Sequence, residues 1–282
     1  MNNKQIPKNL SIDAFSVRAS SWGRLFDCAY AWEGAHIYKY RKPSGIRALL
    51  GTGLHRATAE YDTARIEEAA IDDATMIYQA SDILVETLRH PDFEVDFGAD
   101  DLTVRQAEPI GLQLLTKYCT QVAPRFVYAA VEMETKPLDI DCGNGIVIRL
   151  TGTMDRSRTI QQNGKLRVGD LKSGTSAVRK GEAYTHSHAA QIGTYCLLTE
   201  HTTGKPVDTT SEIIGMKTSG KPEIAIGEIK GAAQMMVGTN EHPGLIEIAA
   251  NMFRTGIFPP NPSSILCSKK YCARWDACPY HL

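Results

Sequence analysis

The chain has 282 residues, of which 43% are hydrophobic and 22% are charged. This balance is typical of a globular protein and excludes a disordered chain. The formal net charge is −1, so a nucleic-acid function would depend on local basic patches rather than on an overall positive field. The N-terminus MNNKQIPKNL lacks the apolar segment of a signal peptide, and no apolar run is long enough to span a membrane. We therefore expect a soluble, cytoplasmic protein.

Residue patterns in the first half of the chain predict helices. They are expected at 15–38, from about 51 to 70, at 72–88 and at 103–124. His55 falls in the first turn or two of the second helix. This half of the molecule is therefore expected to be mostly helical.

The second half changes to strand-like patterns. Strands are predicted at 126–138, 146–160 and 166–171, separated by the turn sequences GNG and QNG, which indicates an antiparallel meander. A helix at 183–199, strands at 211–216 and 223–229, and a helix at 230–255 follow. The order of elements predicts an α/β (α+β) fold with a central mixed sheet.

Three residues at the ends of two predicted strands form a candidate catalytic constellation. Asp170 and Lys172 stand two apart in VGDLK, so both side chains lie on one face of the strand. Asp155 ends LTGTMD, and pairing of the two strands brings both carboxylates to one end of the sheet. Carboxylates suit Mg²⁺ or Mn²⁺, and a neighbouring ammonium neutralises phosphate charge. The set suffices for phosphodiester hydrolysis, although D-x-K alone is more often a surface pair.

Two further motifs flank this constellation. Gly51 and His55 form G-x-x-x-H, and an imidazole there can ligate a divalent ion. Gln191 and Tyr195 form Q-x-x-x-Y and share one helix face. Taken alone, each pair is more often ordinary structural content.

The order of these motifs resembles the RecB-like branch of the PD-(D/E)xK nucleases. The series is G-x-x-x-H, G-x-x-D (ending at Asp155), D-x-K and Q-x-x-x-Y, and the opening SSWGRLFDCAYAWEGAHIY is similar to the first helix of that family. The resemblance extends from about residue 16 to 281. It implies a restriction-endonuclease-like core with a central mixed sheet flanked by helices. We expect a helical part at 1–125, the nuclease core at 126–255 and a cysteine-rich tail at 256–282, all in one compact unit.

The resemblance also implies roles for individual residues. His55, Asp155 and Asp170 are the expected ligands of Mg²⁺ or Mn²⁺, and Lys172 is the expected catalytic lysine. The expected role of Gln191 and Tyr195 is to contact substrate or to position the lysine. Glu132 and Glu134, on the first strand, are secondary candidates, because a solvated strand face explains them equally well.

The seven cysteines are unevenly distributed. Cys267, Cys272 and Cys278 lie close together near the C-terminus, and Cys28 lies in the first predicted helix. This arrangement resembles the iron–sulfur staple of AddB-type and CRISPR-adaptation nucleases, and it implies a [4Fe–4S] cluster on these four residues. The C-x4-C spacing departs from the usual C-x-x-C, so zinc remains an alternative. The remaining cysteines, Cys119, Cys142 and Cys196, are expected to be ordinary core residues.

The leading functional hypothesis is an exonuclease that processes DNA ends. By resemblance, an isolated nuclease of this size is typical of phage or mobile-element recombination, in a bacterial or phage-infected host cell, and implies a single-strand annealing partner. Alternatives are a CRISPR-adaptation nuclease, a catalytically silent DNA-binding scaffold and a restriction-type endonuclease. Basic residues for phosphate contacts are expected after the catalytic strand and in the tail: Lys172, Arg179, Lys180, Lys269, Lys270 and Arg274. The oligomeric state and the polarity of cleavage stay open.

Overall fold

The computed structural model describes residues 14–68 and 70–281, so the polar N-terminal segment lies outside the described residues. The first half contains one strand, β1 (Phe15–Arg18), and five helices. The helices are α1 (Trp22–Asp27), α2 (Ala29–His36), α3 (Ile46–Ile66), α4 (Asp73–Arg89) and α5 (Val104–Lys117). The predicted helical character of this half is confirmed.

The prediction of one helix over 15–38 is wrong in two places. Residues Phe15–Arg18 form β1, which pairs in parallel with a later strand that the local pattern does not reveal. The helical part is then interrupted at Cys28, whose φ of −146° and ψ of 92° are extended. The interruption separates α1 from α2 and places Cys28 at the junction.

The second helix begins earlier than predicted. α3 starts at Ile46, directly after Gly45, so His55 lies near the middle of the helix rather than in its first turn. Ile46, Leu49 and Leu50 are buried, and this apolar face extends the helix upstream of the glycines. Gly51 and Gly53 are therefore interior positions of the helix and not its start.

A five-stranded mixed sheet forms the centre of the molecule. Ten strands are found within the described residues, and those after β1 are β2 (Ala130–Glu134), β3 (Leu138–Asp141), β4 (Val147–Thr151), β5 (Thr153–Thr159), β6 (Leu166–Gly174), β7 (Val178–Arg179), β8 (Glu182–Ala183), β9 (Thr210–Lys217) and β10 (Glu223–Lys230). The central sheet has the order β10-β9-β6-β5-β2, in which only β6 and β9 are parallel. Strand β6 therefore lies in the middle, with neighbours on both sides.

The predicted meander is present, but it is shared between two sheets. Strands β2, β5 and β6 pair antiparallel as predicted. The chain between β2 and β5 forms the hairpin of β3 and β4, which joins β1 in a separate three-stranded sheet. The two long predicted strands, 126–138 and 146–160, are thus each divided. A break at Gly152 turns the chain from the small sheet into the central one.

The remaining helices are α6 (Ala189–Thr203), α7 (Ala232–Val237) and α8 (Leu245–Thr255). The predicted helix at 183–199 begins later, because a small hairpin of β7 and β8 and a 3-10 turn at His186–His188 precede it. The predicted helix at 230–255 is two helices, since the chain turns at Gly238, whose φ is 82°. The predicted strands at 211–216 and 223–229 are confirmed as β9 and β10.

Two larger hydrophobic clusters hold helices on the sheets. One joins α3, α4 and α5 to the central sheet through Leu171, Ile214 and Met216. Another packs α1, α2 and α8 against the small sheet, around Trp22 and Trp32. A central mixed sheet flanked by helices is the fold class that the sequence predicted. None of the helices in the described ranges has the length and apolar character needed to cross a membrane.

Candidate active site

The two predicted catalytic carboxylates lie on the adjacent strands β5 and β6. In this antiparallel pair Arg156 is opposite Gly169, and one step further along the same register Asp155 lies opposite Asp170. The Asp155 Oδ2 accepts a hydrogen bond from the backbone N–H of Leu171 at 2.9 Å. The ladder of β5 and β6 ends at Arg156, and beyond it the Asp155 side chain, rather than a backbone carbonyl, accepts the hydrogen bond from β6.

Asp170 and Lys172 lie on the same side of β6, as the alternation of the strand predicted. The Lys172 Nζ forms an ion pair with Asp170 Oδ2. Asp170 is fully buried, whereas the Lys172 side chain is 21% exposed, so the ammonium bridges the core and the surface. Burial raises the pKa of Asp170, Lys172 lowers it and Asp155 raises it again, with a raised pKa as the result. The ionised form of this carboxylate thus depends on a cation beside it.

His55 reaches these strands from α3. Gly51 allows the close approach of α3 to β6, because a Cβ at this glycine would lie 2.7 Å from Ser173 Oγ. One turn later the His55 Nε2 lies 3.0 Å from the Leu171 carbonyl oxygen, and Nδ1 lies 3.5 Å from Asp155 Oδ2. The glycine and the histidine of G-x-x-x-H therefore both serve the contact of α3 with β6.

Glu132 completes a compact group of potential ligands with His55 and Asp155. One ligand atom of each residue lies within 4.8 Å of the others. Glu132 falls opposite Asp155 but is missing from the ladder of β2 and β5, and its φ of 44° is unfavourable for a residue with a side chain. Backbone strain of this kind is found preferentially at functional sites. Glu134, by contrast, continues the regular ladder opposite Thr153 and belongs to no such group among the described residues.

The chemistry of this group fits a divalent cation. If the neutral His55 donates Nε2–H to the Leu171 carbonyl, its Nδ1 lone pair faces the two carboxylates, as in many metal-ligating histidines. Oxygen ligands with one imidazole suit Mn²⁺, and the carboxylates also suit Mg²⁺. Burial lowers the pKa of His55, but Asp155 and Glu132 outweigh it and the pKa is raised. A proton and a cation therefore compete for Nδ1.

Gln191 and Tyr195 approach from α6 on the other side of Asp170. The Gln191 Nε2 donates to Asp170 Oδ1 and to the Tyr195 hydroxyl, both at 3.2 Å. Gly152 leaves room for the tyrosine, because a Cβ there would lie 2.9 Å from its ring. Burial, followed by the charge of Asp155, raises the pKa of Tyr195, so the phenol stays protonated. Gln191 thus contacts the carboxylate that holds Lys172 rather than the lysine itself, and Tyr195 contacts Gln191.

A fully buried arginine donates hydrogen bonds to the segments that carry the potential metal ligands. Arg156 donates to Glu132 Oε1 at 3.2 Å and to the Asp155 carbonyl at 2.8 Å. On α3 it donates to Asp62 Oδ2 at 2.7 Å and to Thr58 Oγ1 at 3.1 Å. Arg156 therefore ties the strained strand β2 and the strand β5 to the helix that carries His55.

His188 is a further titratable residue near Lys172. It ends the turn His186–His188, directly before α6. Burial and then the charge of Lys172 lower the pKa of His188 to about 4. The imidazole is therefore neutral at pH 7 and available as a donor or an acceptor.

The four cysteines of the expected staple line one small cavity between α2 and the C-terminal tail. Burial, and then the neighbouring thiols of Cys278, Cys28 and Cys272, raise the pKa of the Cys267 thiol. Among the described residues, however, the cysteines form no compact group like that of His55, Glu132 and Asp155. Cys119 and Cys196 are buried core residues as predicted, whereas Cys142 is half-buried.

Three of the basic residues that were expected to contact phosphate have partners within the protein. Arg274 forms an ion pair with Glu33 at 2.6 Å, and Lys270 lies 3.4 Å from Asp100. Arg179 stacks on the Tyr184 ring at 3.8 Å. Carboxylates close in space but distant in sequence thus neutralise two of the tail cations.

Sequence reasoning did not identify Arg156, Thr58, Asp62 or His188. One signal was available: Thr58 and Asp62 follow His55 at i+3 and i+7, a spacing that places all three on one helix face. No local pattern distinguishes the buried Arg156 from a surface arginine, because its partners come from α3 and β2.

Comparisons with known proteins identify the family and the fold of the chain. The sequence profile of the PD-(D/E)XK nuclease superfamily matches residues 18–279. Among solved structures, the chain is similar to a protein from Eubacterium rectale described as a candidate exonuclease, with a TM-score of 0.52 and 12% identity over 95% of this chain and 92% of that chain. At this identity the likeness shows the fold alone. No curated protein matches the chain. Because the profile spans nearly the whole sequence, the chain belongs to the PD-(D/E)XK nuclease superfamily.

Proposed function

We propose that this protein is a divalent-metal-dependent deoxyribonuclease that hydrolyses phosphodiester bonds at the site around Asp155, Asp170 and Lys172. The observation that carries the proposal is the meeting of a group of potential metal ligands with an aspartate–lysine pair in the middle of β6, where its ladder with β5 ends. His55, Glu132 and Asp155 form a compact group, and the buried Asp170 holds Lys172 beside it. Membership of the superfamily supports the same reaction class.

Each residue has a separate task in the proposed reaction. His55, Asp155 and Glu132 would hold Mg²⁺ or Mn²⁺. Asp170, which the sequence also predicted as a ligand, would add a carboxylate from the adjacent strand β6. A bound cation would supply positive charge to the phosphate and lower the pKa of a nearby water. The Lys172 ammonium is held by Asp170, and its remaining N–H donors would serve the attacking water or the phosphate. Gln191 and Tyr195 keep the Asp170 carboxylate oriented.

The test is digestion of end-labelled linear duplex and single-stranded DNA, alongside closed circular DNA, with Mg²⁺, Mn²⁺ or EDTA. We expect metal-dependent loss of linear DNA by the wild-type protein. Lys172→Ala and Asp170→Asn should lower the rate by at least about a hundredfold, because a positioned charge of this kind is typically worth that much. Cleavage of linear but not circular DNA would identify an exonuclease.

The matched control is Lys205→Ala, which removes an exposed lysine from the loop after α6. This variant should retain the wild-type rate, and circular dichroism should show that all variants are folded. Undiminished cleavage by Lys172→Ala would refute the assignment of the site. Failure of the wild-type protein to cleave any substrate, with its full metal complement, would favour the DNA-binding scaffold.

The biological setting that we propose is the processing of DNA ends in recombination or repair. It rests on the resemblance to RecB-like exonucleases of phage or mobile-element type, and it implies a single-strand annealing protein as partner. A pull-down of such a protein from cells that contain both would support this setting.

We also propose that Cys28, Cys267, Cys272 and Cys278 hold a [4Fe–4S] cluster. Support comes from the shared cavity that the four side chains line. Zinc is the alternative, and iron and zinc analysis of the purified protein distinguishes the two.

A further inference from the structure

A second groove lies between the N-terminal helices and the C-terminal tail, outside the candidate active site. We call it the basic groove and define it by Arg18, Arg24, Arg41, Lys42, Tyr40 and Tyr271. No Asp or Glu is among the described residues that line it. The groove is therefore locally positive, although the formal net charge of the whole chain is −1.

The cations of the basic groove are not neutralised by ion pairs within the described part of the chain. Arg18, Arg41 and Lys42 are exposed, and Arg24 is half-buried. The Arg41 Nε contacts the Ala35 carbonyl at 3.4 Å, and Lys42 Nζ donates to the Lys269 carbonyl, so the partners of both are uncharged. Arg274 also lines the groove, but Glu33 compensates its charge. The groove therefore attracts a polyanion.

Two tyrosines distinguish between kinds of polyanion. The side chains of Tyr40 and Tyr271 are 54% and 50% exposed in the same groove. The Tyr40 ring is held by stacking on Tyr38, with ring centroids 5.9 Å apart. Exposed rings among cations are the arrangement that binds unpaired bases and their phosphates, and an acidic peptide would not use the rings.

The chain around Arg18 and Arg24 packs against α6, the helix that carries Gln191 and Tyr195. Arg18 directly precedes Ala19, and a Cβ on Gly152 would lie 3.3 Å from Ala19 and 2.9 Å from the Tyr195 ring. On α1, a Cβ on Gly23 would lie 4.0 Å from the Ser187 carbonyl oxygen, one residue before His188. The groove and the candidate active site are thus built on elements that pack against one another.

We propose that the basic groove binds an unpaired nucleic-acid strand. This proposal rests on the proposed nuclease function for the identity of the strand, but it concerns residues outside the catalytic group. The cations contact successive phosphates without reading sequence, and the tyrosines stack on bases. The groove would thus select single-stranded over fully paired substrate.

The first experiment measures binding in EDTA, by fluorescence anisotropy of labelled 20-nucleotide single strands. Arg18→Ala/Lys42→Ala should bind about tenfold more weakly, and the slope of log K against log salt should fall by about 1.4, from about 0.7 per lost phosphate contact. The control Arg105→Ala/Lys205→Ala removes two exposed cations elsewhere and should bind like the wild type. Equal affinity of the groove variant and the wild type would overturn the proposal.

Tyr271→Ala and Tyr40→Ala test the stacking separately. Each should lower affinity about tenfold with an unchanged salt slope, and the matching Phe variants should restore it. Poly-glutamate that competes as well as single-stranded DNA would show a general polyanion site and overturn the proposal. Parallel titrations with DNA and RNA of one sequence identify which sugar the groove accepts.

Hydrolysis of bis(p-nitrophenyl) phosphate separates this proposal from the proposed function. This small diester needs the catalytic group but not the groove, so Arg18→Ala/Lys42→Ala should hydrolyse it at the wild-type rate. If no variant hydrolyses it while the groove variant still loses binding, the nuclease function fails and the groove stands. If the wild-type protein hydrolyses the diester and the groove variants bind DNA normally, the nuclease function stands and the groove proposal fails.

Discussion

At the scale of single residues, the candidate site depends on charges that are buried and compensated by named partners. Asp170 and Asp62 are fully buried and rely on Lys172 and Arg156 respectively. Buried ion pairs of this kind are poor sources of net stability, but removal of one partner is costly. The site is therefore sensitive to substitutions that leave a charge behind.

Replacement of Arg156 should show this sensitivity. Arg156→Met keeps most of the volume but leaves Asp62 buried without its guanidinium, so we expect a loss of about 3–5 kcal/mol in the free energy of unfolding. Urea denaturation measures it. Arg149→Met, at a surface pair with Asp139, should cost less than about 1 kcal/mol. Similar losses in both variants would contradict the role of Arg156 in the buried network.

His188 should make the stability dependent on pH. Its pKa in the folded protein is about 4, below the ordinary value of 6.5, so the unfolded chain binds a proton that the folded chain does not. Protonation of His188 in the unfolded chain therefore favours unfolding increasingly as the pH falls from 6.5 to 4. Urea denaturation in EDTA across this range should show a smaller decrease for His188→Asn than for the wild type. His201→Asn, on the exposed side of α6, should behave as the wild type, and equal slopes for all three would contradict the prediction.

At the scale of secondary-structure elements, close approaches decide where the site residues lie. α6 carries Gln191 and Tyr195, and it packs on α7 through Gly193. A Cβ on Gly193 would lie 2.3 Å from the Ala232 carbonyl oxygen and 2.6 Å from Met236 Cγ. The position of the Q-x-x-x-Y pair thus depends on a glycine between its two members.

Gly193→Ala should therefore move α6 away from α7. We expect a loss of about 1–3 kcal/mol in the free energy of unfolding from overpacking, although alanine is the better helix former. A lower cleavage rate in the folded variant should accompany it, as Gln191 moves relative to Asp170. Gly98→Ala, at an exposed loop position, should change the stability by no more than about 0.5 kcal/mol. A neutral or stabilising Gly193→Ala would show that the two helices separate without cost.

At the scale of the whole molecule, the C-terminal tail closes on the N-terminal helices. Arg274 donates to the Tyr30 carbonyl at 2.8 Å, and Ser264 Oγ donates to Asp27 at 2.6 Å. The proposed cluster would add covalent links between the same two segments, which are more than 200 residues apart in sequence. A link that closes so long a loop restricts the unfolded chain strongly.

Cys278→Ser should consequently reduce iron content and stability together. We expect loss of the absorbance near 420 nm and a decrease in Tm of about 5 °C or more, measured on protein purified without oxygen. Cys142→Ser, at a half-buried thiol outside the cavity, should retain iron. Iron-free wild-type protein with the same Tm as Cys278→Ser would remove the staple from the description of this fold.

The sequence by itself determined the parts of the molecule that depend on local spacing. Alternation along β6 placed Asp170 and Lys172 on one side, and the turn before β6 brought Asp155 opposite Asp170. The helical first half, the strands β9 and β10 and the fold class followed from periodicity in the same way. Such features need only neighbouring residues, because the geometry of a helix or a strand repeats along the chain.

Only the tertiary structure decided which distant residues meet at the site. Glu132 joins His55 because its own backbone leaves the regular strand, and Arg156 is buried because α3 and β2 both present acceptors to it. The basic groove likewise forms from two ends of the chain, and its charge is unbalanced because Glu33 compensates Arg274 while the remaining cations have no carboxylate partner within the described residues. Burial and charge compensation are properties of contacts between distant segments, and a local sequence pattern does not contain them.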